Sequence, residues 1–320
     1  MKIIIILLIS LLNGQNLLDY LSGPITFRIG LINGYDDNVL RLSKIEKSQA
    51  STNKYIMGGA DTFDSHFSRL IIAGQKKIQL AHRGKSIHIY TRANISNYSN
   101  NKNRQHWSGN IKGVYKWGSY KRVSFSIRHL NRYYIRHYIN RDISNDDLMP
   151  CAFSDREQLL EVAHPIKKKQ WVTMQLSYNQ RYFDIPFTEF DLDILSSYFK
   201  ISRKISDLGT IAIAFTYGDA KNITYRNTAK ASSLDRSYKN FEWYIPFIYN
   251  KDIGIFNKLG FSIREDHRYY VAEMVGDPLH SGRSHRDNKL NFWAEHKINE
   301  SILIKTSLLY RYRKTESQFN

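Results

Sequence analysis

The sequence holds one cysteine, Cys151, in 320 residues, which excludes an intramolecular disulfide and any zinc site built from thiolates. It has no solenoid or propeller repeat, and no stretch with a convincing helical period. Beyond its first dozen residues it has no long apolar run, and a mean hydropathy of -0.48 excludes a bundle of membrane helices. It is short of acid: 29 Asp and Glu stand against 47 Lys and Arg, a net charge of +18 and a pI near 9.7. Those cations are mostly dispersed along the chain, with one run of three at Lys167-Lys168-Lys169, and the dispersal argues against a nucleic-acid patch. Domain boundaries are absent too, so residues 15–320 read as one domain. A hydrophobic content of 42% with 24% charged residues is that of a folded chain.

What is present is a long period of two. From Trp171 to Tyr182, Val172, Met174, Leu176, Tyr178 and Tyr182 alternate with Trp171, Thr173, Gln175, Ser177, Asn179 and Arg181. Side chains on a strand alternate faces, so one face is greasy and the other wet. The run has the length of about nine to eleven residues that a tilted strand needs to cross a bilayer, where a soluble strand stops after about five or six. Phe190, Leu192 and Ile194 then alternate with Glu189, Asp191 and Asp193, and Ile211, Ile213, Phe215 and Tyr217 with small residues.

The same rhythm runs through the chain. Further strands are expected around residues 25–31, 64–74, 86–96, 106–116, 122–128, 153–163, 241–249, 259–263, 290–294 and 302–312, which brings the total to about thirteen. Short turns near Gly118, Lys167, Asp207, Lys251 and Asn299 alternate with mostly longer connections near 34–61, 98–105, 137–150, 219–236 and 273–286. The 22 tyrosines and 16 phenylalanines suit both strands and membrane interfaces. At the amino terminus, Lys2, the apolar run Ile3 to Leu12 and Asn13-Gly14-Gln15 read as an export signal over residues 1–14.

An export signal, amphipathic strands flanked by Tyr and Trp, and connections alternating in length resemble a bacterial outer-membrane β-barrel over the whole mature chain. The resemblance implies an all-β, transmembrane, antiparallel up-and-down barrel of about fourteen strands. Bacterial single-chain barrels have an even number of strands, so a fourteenth is expected beyond the thirteen visible, which read as stopping one strand early. It also implies an outer-membrane location, with lipid as the partner of the greasy face.

On that expectation the wet face lines a lumen. Its cations are Arg28, Arg92, Arg122, Arg128, Arg132, Arg181, Arg264, Arg268, Lys305, Arg311 and Arg313; its anions are Glu161, Glu189, Asp191, Asp193, Asp266 and Glu295. The excess of cations points to a porin-like channel favouring small anionic solutes. The competing reading is that these charges pair across strands and brace a packed, non-conducting structural, assembly or export barrel. The Glu189, Asp191, Asp193 ladder, about seven ångströms per step, is too widely spaced for two carboxylates to share a metal, and neighbouring arginines are its simplest partners. His280 and His285 have weak metal spacing, and no nucleophile elbow marks a barrel-embedded hydrolase. No cofactor, metal or catalytic residue is therefore expected. A soluble, secreted β-sandwich is the alternative fold.

Overall fold

The computed structural model describes residues 23–80, 84–140, 142–143, 147–206, 208–224, 234–272, 277, 280–299 and 303–317. The expected signal segment lies outside the described residues. Among the described residues thirteen strands follow one another in a single antiparallel sheet, each paired with its neighbours in the sequence. They are β1 (Thr26–Asp36), β2 (Ser65–Gln79), β3 (Ser86–Tyr98), β4 (His106–Gly118), β5 (Lys121–Ile139), β6 (Leu148–Lys167), β7 (Gln170–Phe183), β8 (Leu192–Ile205), β9 (Gly209–Asn222), β10 (Tyr238–Tyr249), β11 (Lys258–Tyr270), β12 (Ser284–Lys297) and β13 (Leu303–Glu316). The shortest has 11 residues and the longest 20, all beyond the usual strand of a soluble domain. No helix among the described residues is long and apolar enough to cross a membrane.

The period-two pattern dictates this sheet. Each strand has one apolar face, and the registers line those faces up in continuous rows. One row runs Ile29, Ile72, Ala93 across β1 to β3. Another runs Val162, Met174, Phe199, Phe215 across β6 to β9, and a third runs Phe247, Phe261, Phe292, Leu308 across β10 to β13. Among the described residues no layer of protein covers this face. Phe27 is 69% exposed, Ile29 74%, Ile111 62% and Leu308 71%.

Connections alternate in length. Two residues join β4 to β5 and two join β6 to β7, whereas residues 37–64 join β1 to β2 and residues 223–237 join β9 to β10. The 37–64 connection holds the one α-helix among the described residues, α1 (Lys44–Thr52), and a 3-10 turn over Lys54–Met57. A capping box starts α1: the Ser43 side chain accepts from the Glu46 N–H at 3.3 Å, and Glu46 Oε2 accepts from the Ser43 N–H at 2.7 Å. The connection packs down through Leu40, Leu42, Ala50 and Met57 onto Tyr134 of β5 and Ala152 of β6. Another 3-10 turn, Thr188–Phe190, precedes β8 and is held there by Asn222 of β9. The Asn222 side-chain amide donates to the carbonyls of Glu189 at 2.9 Å and Asp191 at 2.7 Å.

β1 and β13 each have one sheet neighbour among the described residues, so the sheet is open here. With thirteen antiparallel strands, β1 and β13 run in the same direction.

Candidate functional site

The face opposite the apolar rows carries the charge. Arg28, Arg92, Arg122, Arg128, Arg181, Arg264, Arg268, Lys305, Arg311 and Arg313 all lie on it, as do Glu161, Asp266 and Glu295. Four expected members do not: Arg132, Glu189, Asp191 and Asp193. Arg132 follows an irregularity between Leu130 and Tyr133 on β5, where an extra residue inverts the alternation. Its φ of 43° marks the bulge, and its guanidinium pairs at 3.0 Å with Asp184. Asp193 stands opposite Gln180 and Lys221, on the face of Leu195 and Phe199, and accepts from the Tyr178 hydroxyl at 2.8 Å.

The acidic ladder is therefore not one strand face. Glu189 is buried in the 3-10 turn, and Asp191 closes that turn, accepting from the Phe183 N–H at 2.6 Å. Leu192 and Ile194, expected among the greasy residues, face the charged side, where they pack with Ala220 and Tyr238.

Most charges on this face are paired across adjacent strands. Arg122 meets Glu161 at 3.0 Å, Arg128 meets Glu157 at 3.0 Å, and Lys305 meets Glu295 at 3.4 Å. Arg181 holds Asp155 through two bonds, Nε at 2.9 Å and Nη2 at 3.0 Å, the fork-to-fork geometry that favours Arg over Lys. Asp287 gathers Arg311, Arg313 at 2.8 Å and Lys289 at 3.7 Å, which holds its carboxyl well below the usual range, led by the Arg311 hydrogen bonds. Cations remain over. Among the described residues, Arg28, Arg69, Arg92, Lys112, Lys200 and Arg268 have no carboxylate at ion-pair distance.

At the long-connection end of this face lies a cavity of about 760 Å³. Its wall draws on β5, β7, β8, β10 and β11, on α1 and on residues near 189 and 236, so strands distant in the sheet converge there. Four arginines enter it, each with its guanidinium over an aromatic ring. Arg136 lies 4.9 Å from Tyr138, Arg181 4.5 Å from Phe153, Arg236 3.9 Å from Phe190 and Arg268 4.2 Å from Tyr238. Glu46 of α1 pairs with Arg136 at 2.7 Å, so the residue that caps the helix also docks it on β5. Arg236 donates to the carbonyls of Leu234 and Glu189, and burial brings its pKa down to about 10 against the pull of Glu189. His280 is kept below the usual histidine value by burial, which outweighs Asp277 at 2.9 Å.

His280 and His285 both meet the Tyr270 ring, His280 tilted at 5.2 Å and His285 edge-on at 5.7 Å, and His280 is paired with Asp277. Among the described residues no three His, Cys, Asp or Glu side chains converge as a metal site. Cys151 is fully buried at the same end, and burial pushes its thiol up to about 12.

Two cavity arginines, Arg136 and Arg236, were not among the sequence candidates. A signal for them exists: Arg136-x-Tyr138, Arg181-x-Phe183, Arg236-x-Tyr238 and Arg268-x-Tyr270 repeat one Arg-x-aromatic spacing at the same end of the sheet. No protein-family model and no curated protein matches this sequence.

Proposed function

We propose that this chain forms the wall of an outer-membrane β-barrel whose charged face lines a passage favouring small anionic solutes. The observation that carries the membrane part is the exposed apolar face, continuous across thirteen strands. Monomeric soluble proteins rarely expose apolar patches beyond a few hundred square ångströms, and lipid is the partner that suits a band this extended. The band has a limit. Toward the long connections the same face turns charged, with Asp219 opposite Lys239, His267 opposite Arg286 and Arg286 opposite Lys314, as strands leaving a bilayer would. Short turns at one end and long connections at the other match the asymmetry of such barrels.

Support for anion preference comes from the cations left over once the pairs are made, since uncompensated guanidinium and ammonium groups along a passage attract anions. The cross-strand pairs and the docked α1 favour a second reading, a braced, non-conducting barrel with a packed interior. Planar-bilayer recording of the refolded chain separates the two. A salt gradient across the membrane should give a reversal potential of the sign for anion preference. A cation-selective potential would end the anion reading, and a silent bilayer with demonstrably inserted protein would favour the packed barrel.

A further inference from the structure

We propose that the cavity at the long-connection end binds a small organic anion: one carboxylate or phosphate group on an aromatic or apolar body. This goes beyond a passage that merely favours anions, and it requires no conduction.

The argument rests on how the arginines are presented. A guanidinium stacked on a ring keeps its in-plane N–H donors free to grip an oxyanion edge-on, while the ring fixes its orientation. Arg181 gives its fork to Asp155, Arg136 is engaged with Glu46, and Arg236 donates to backbone carbonyls. Arg268 is different. It lies over Tyr238, it is half-buried in the wall, and among the described residues its donors meet no carboxylate. It is therefore the anchor for an incoming oxyanion, reinforced by the fields of its neighbours. His285 stands opposite it on β12, where Arg283 and Arg313 join Arg268 in disfavouring its protonation, after burial and against Asp287.

The remaining wall selects the body of the ligand. Phe183, Phe187 and Tyr270 supply ring surfaces, and the volume lies within the roughly 300 to 1,000 Å³ of small-molecule clefts. Carboxylate and phosphate share the chemistry that a guanidinium fork reads, so both are included and the test separates them.

The test is calorimetric titration of the full chain, folded in detergent micelles, with benzoate, phenyl phosphate, inorganic phosphate and benzyl alcohol. Saturable binding of benzoate, phenyl phosphate or both is expected, at least about tenfold tighter than benzyl alcohol or inorganic phosphate, and the better of the two names the preferred oxyanion. Arg268→Gln should weaken that binding about tenfold. Arg268→Lys, which keeps the charge and loses the planar fork, should also weaken it. Arg203→Gln, exposed at the opposite end of β8, should leave it unchanged. The proposal is overturned if neither aromatic anion saturates, if benzyl alcohol or inorganic phosphate binds as tightly, or if a folded Arg268→Gln binds like the parent. None of these outcomes bears on ion conduction, so the two readings fail separately.

Discussion

Asp155 is 5% exposed at its side chain and has Arg181 as its counter-ion. Removing one partner of such a pair leaves a buried charge without compensation, which costs more than the pair itself contributes. Asp155→Asn should therefore lower unfolding stability by about 3 kcal/mol in denaturant titrations, while the double variant Asp155→Leu with Arg181→Met should recover most of that loss. His285 supplies a pH dependence with a definite sign. Its pKa is brought down to about 4, chiefly by burial, against about 6.5 when unfolded. The folded chain thus takes up this proton less readily than the unfolded one. Stability is fully present above about pH 6.5 and falls as pH drops toward 4. His285→Gln should flatten that part of the stability profile; an unchanged slope would remove His285 as its source. Cys151 makes a third case: buried with its thiol pushed up to about 12, it should react with a maleimide only after unfolding.

Single elements show where the sequence was legible and where it was not. The strands are legible as period-two runs, β6 least cleanly, because each strand's own residues must separate apolar from polar. Which face a strand presents is a different matter, since parity belongs to the pairing. In Phe190 to Ile194 the acidic and apolar sets alternate equally well in either sense. The register with β7 decides, turning Leu192 and Ile194 to the charged side and Asp193 to the other. On β5 the bulge before Tyr133 inverts the parity of Arg132, and nothing in a period count marks an extra residue. The cavity was illegible for a related reason: its members come from strands far apart, and only the Arg-x-aromatic spacing hinted at a common place. Backbone geometry gives the element-scale prediction. Gly209 opens β9 at φ +148°, and a Cβ there would come within 1.9 Å of the Ile248 carbonyl oxygen, which belongs to backbone and cannot swing aside. Gly209→Ala should cost upwards of about 2 kcal/mol, seen as a lower unfolding midpoint. Gly218→Ala, which meets the movable end of Asn240, should cost less.

For the whole molecule, the surroundings of the apolar face set the prediction. If lipid surrounds it, an exposed apolar position in mid-strand resists charge: Ile111→Lys should destabilise the folded state in vesicles by about 2 to 4 kcal/mol, an effect that a water-facing position would not show. The two-faced wall itself can be read one residue at a time. Single spin labels from residue 172 to residue 182 along β7, with Cys151 replaced by serine, report contact with oxygen dissolved in lipid and with a water-soluble nickel chelate. The prediction is a period of two in refolded vesicles: oxygen reaches labels at Val172, Met174, Leu176 and Tyr178, and the chelate reaches those at Gln175, Ser177 and Asn179. Equal access at both sets would contradict a β-sheet with one face in lipid and the other in water, and the chelate reaching the first set with oxygen reaching the second would contradict lipid as the partner of the apolar rows.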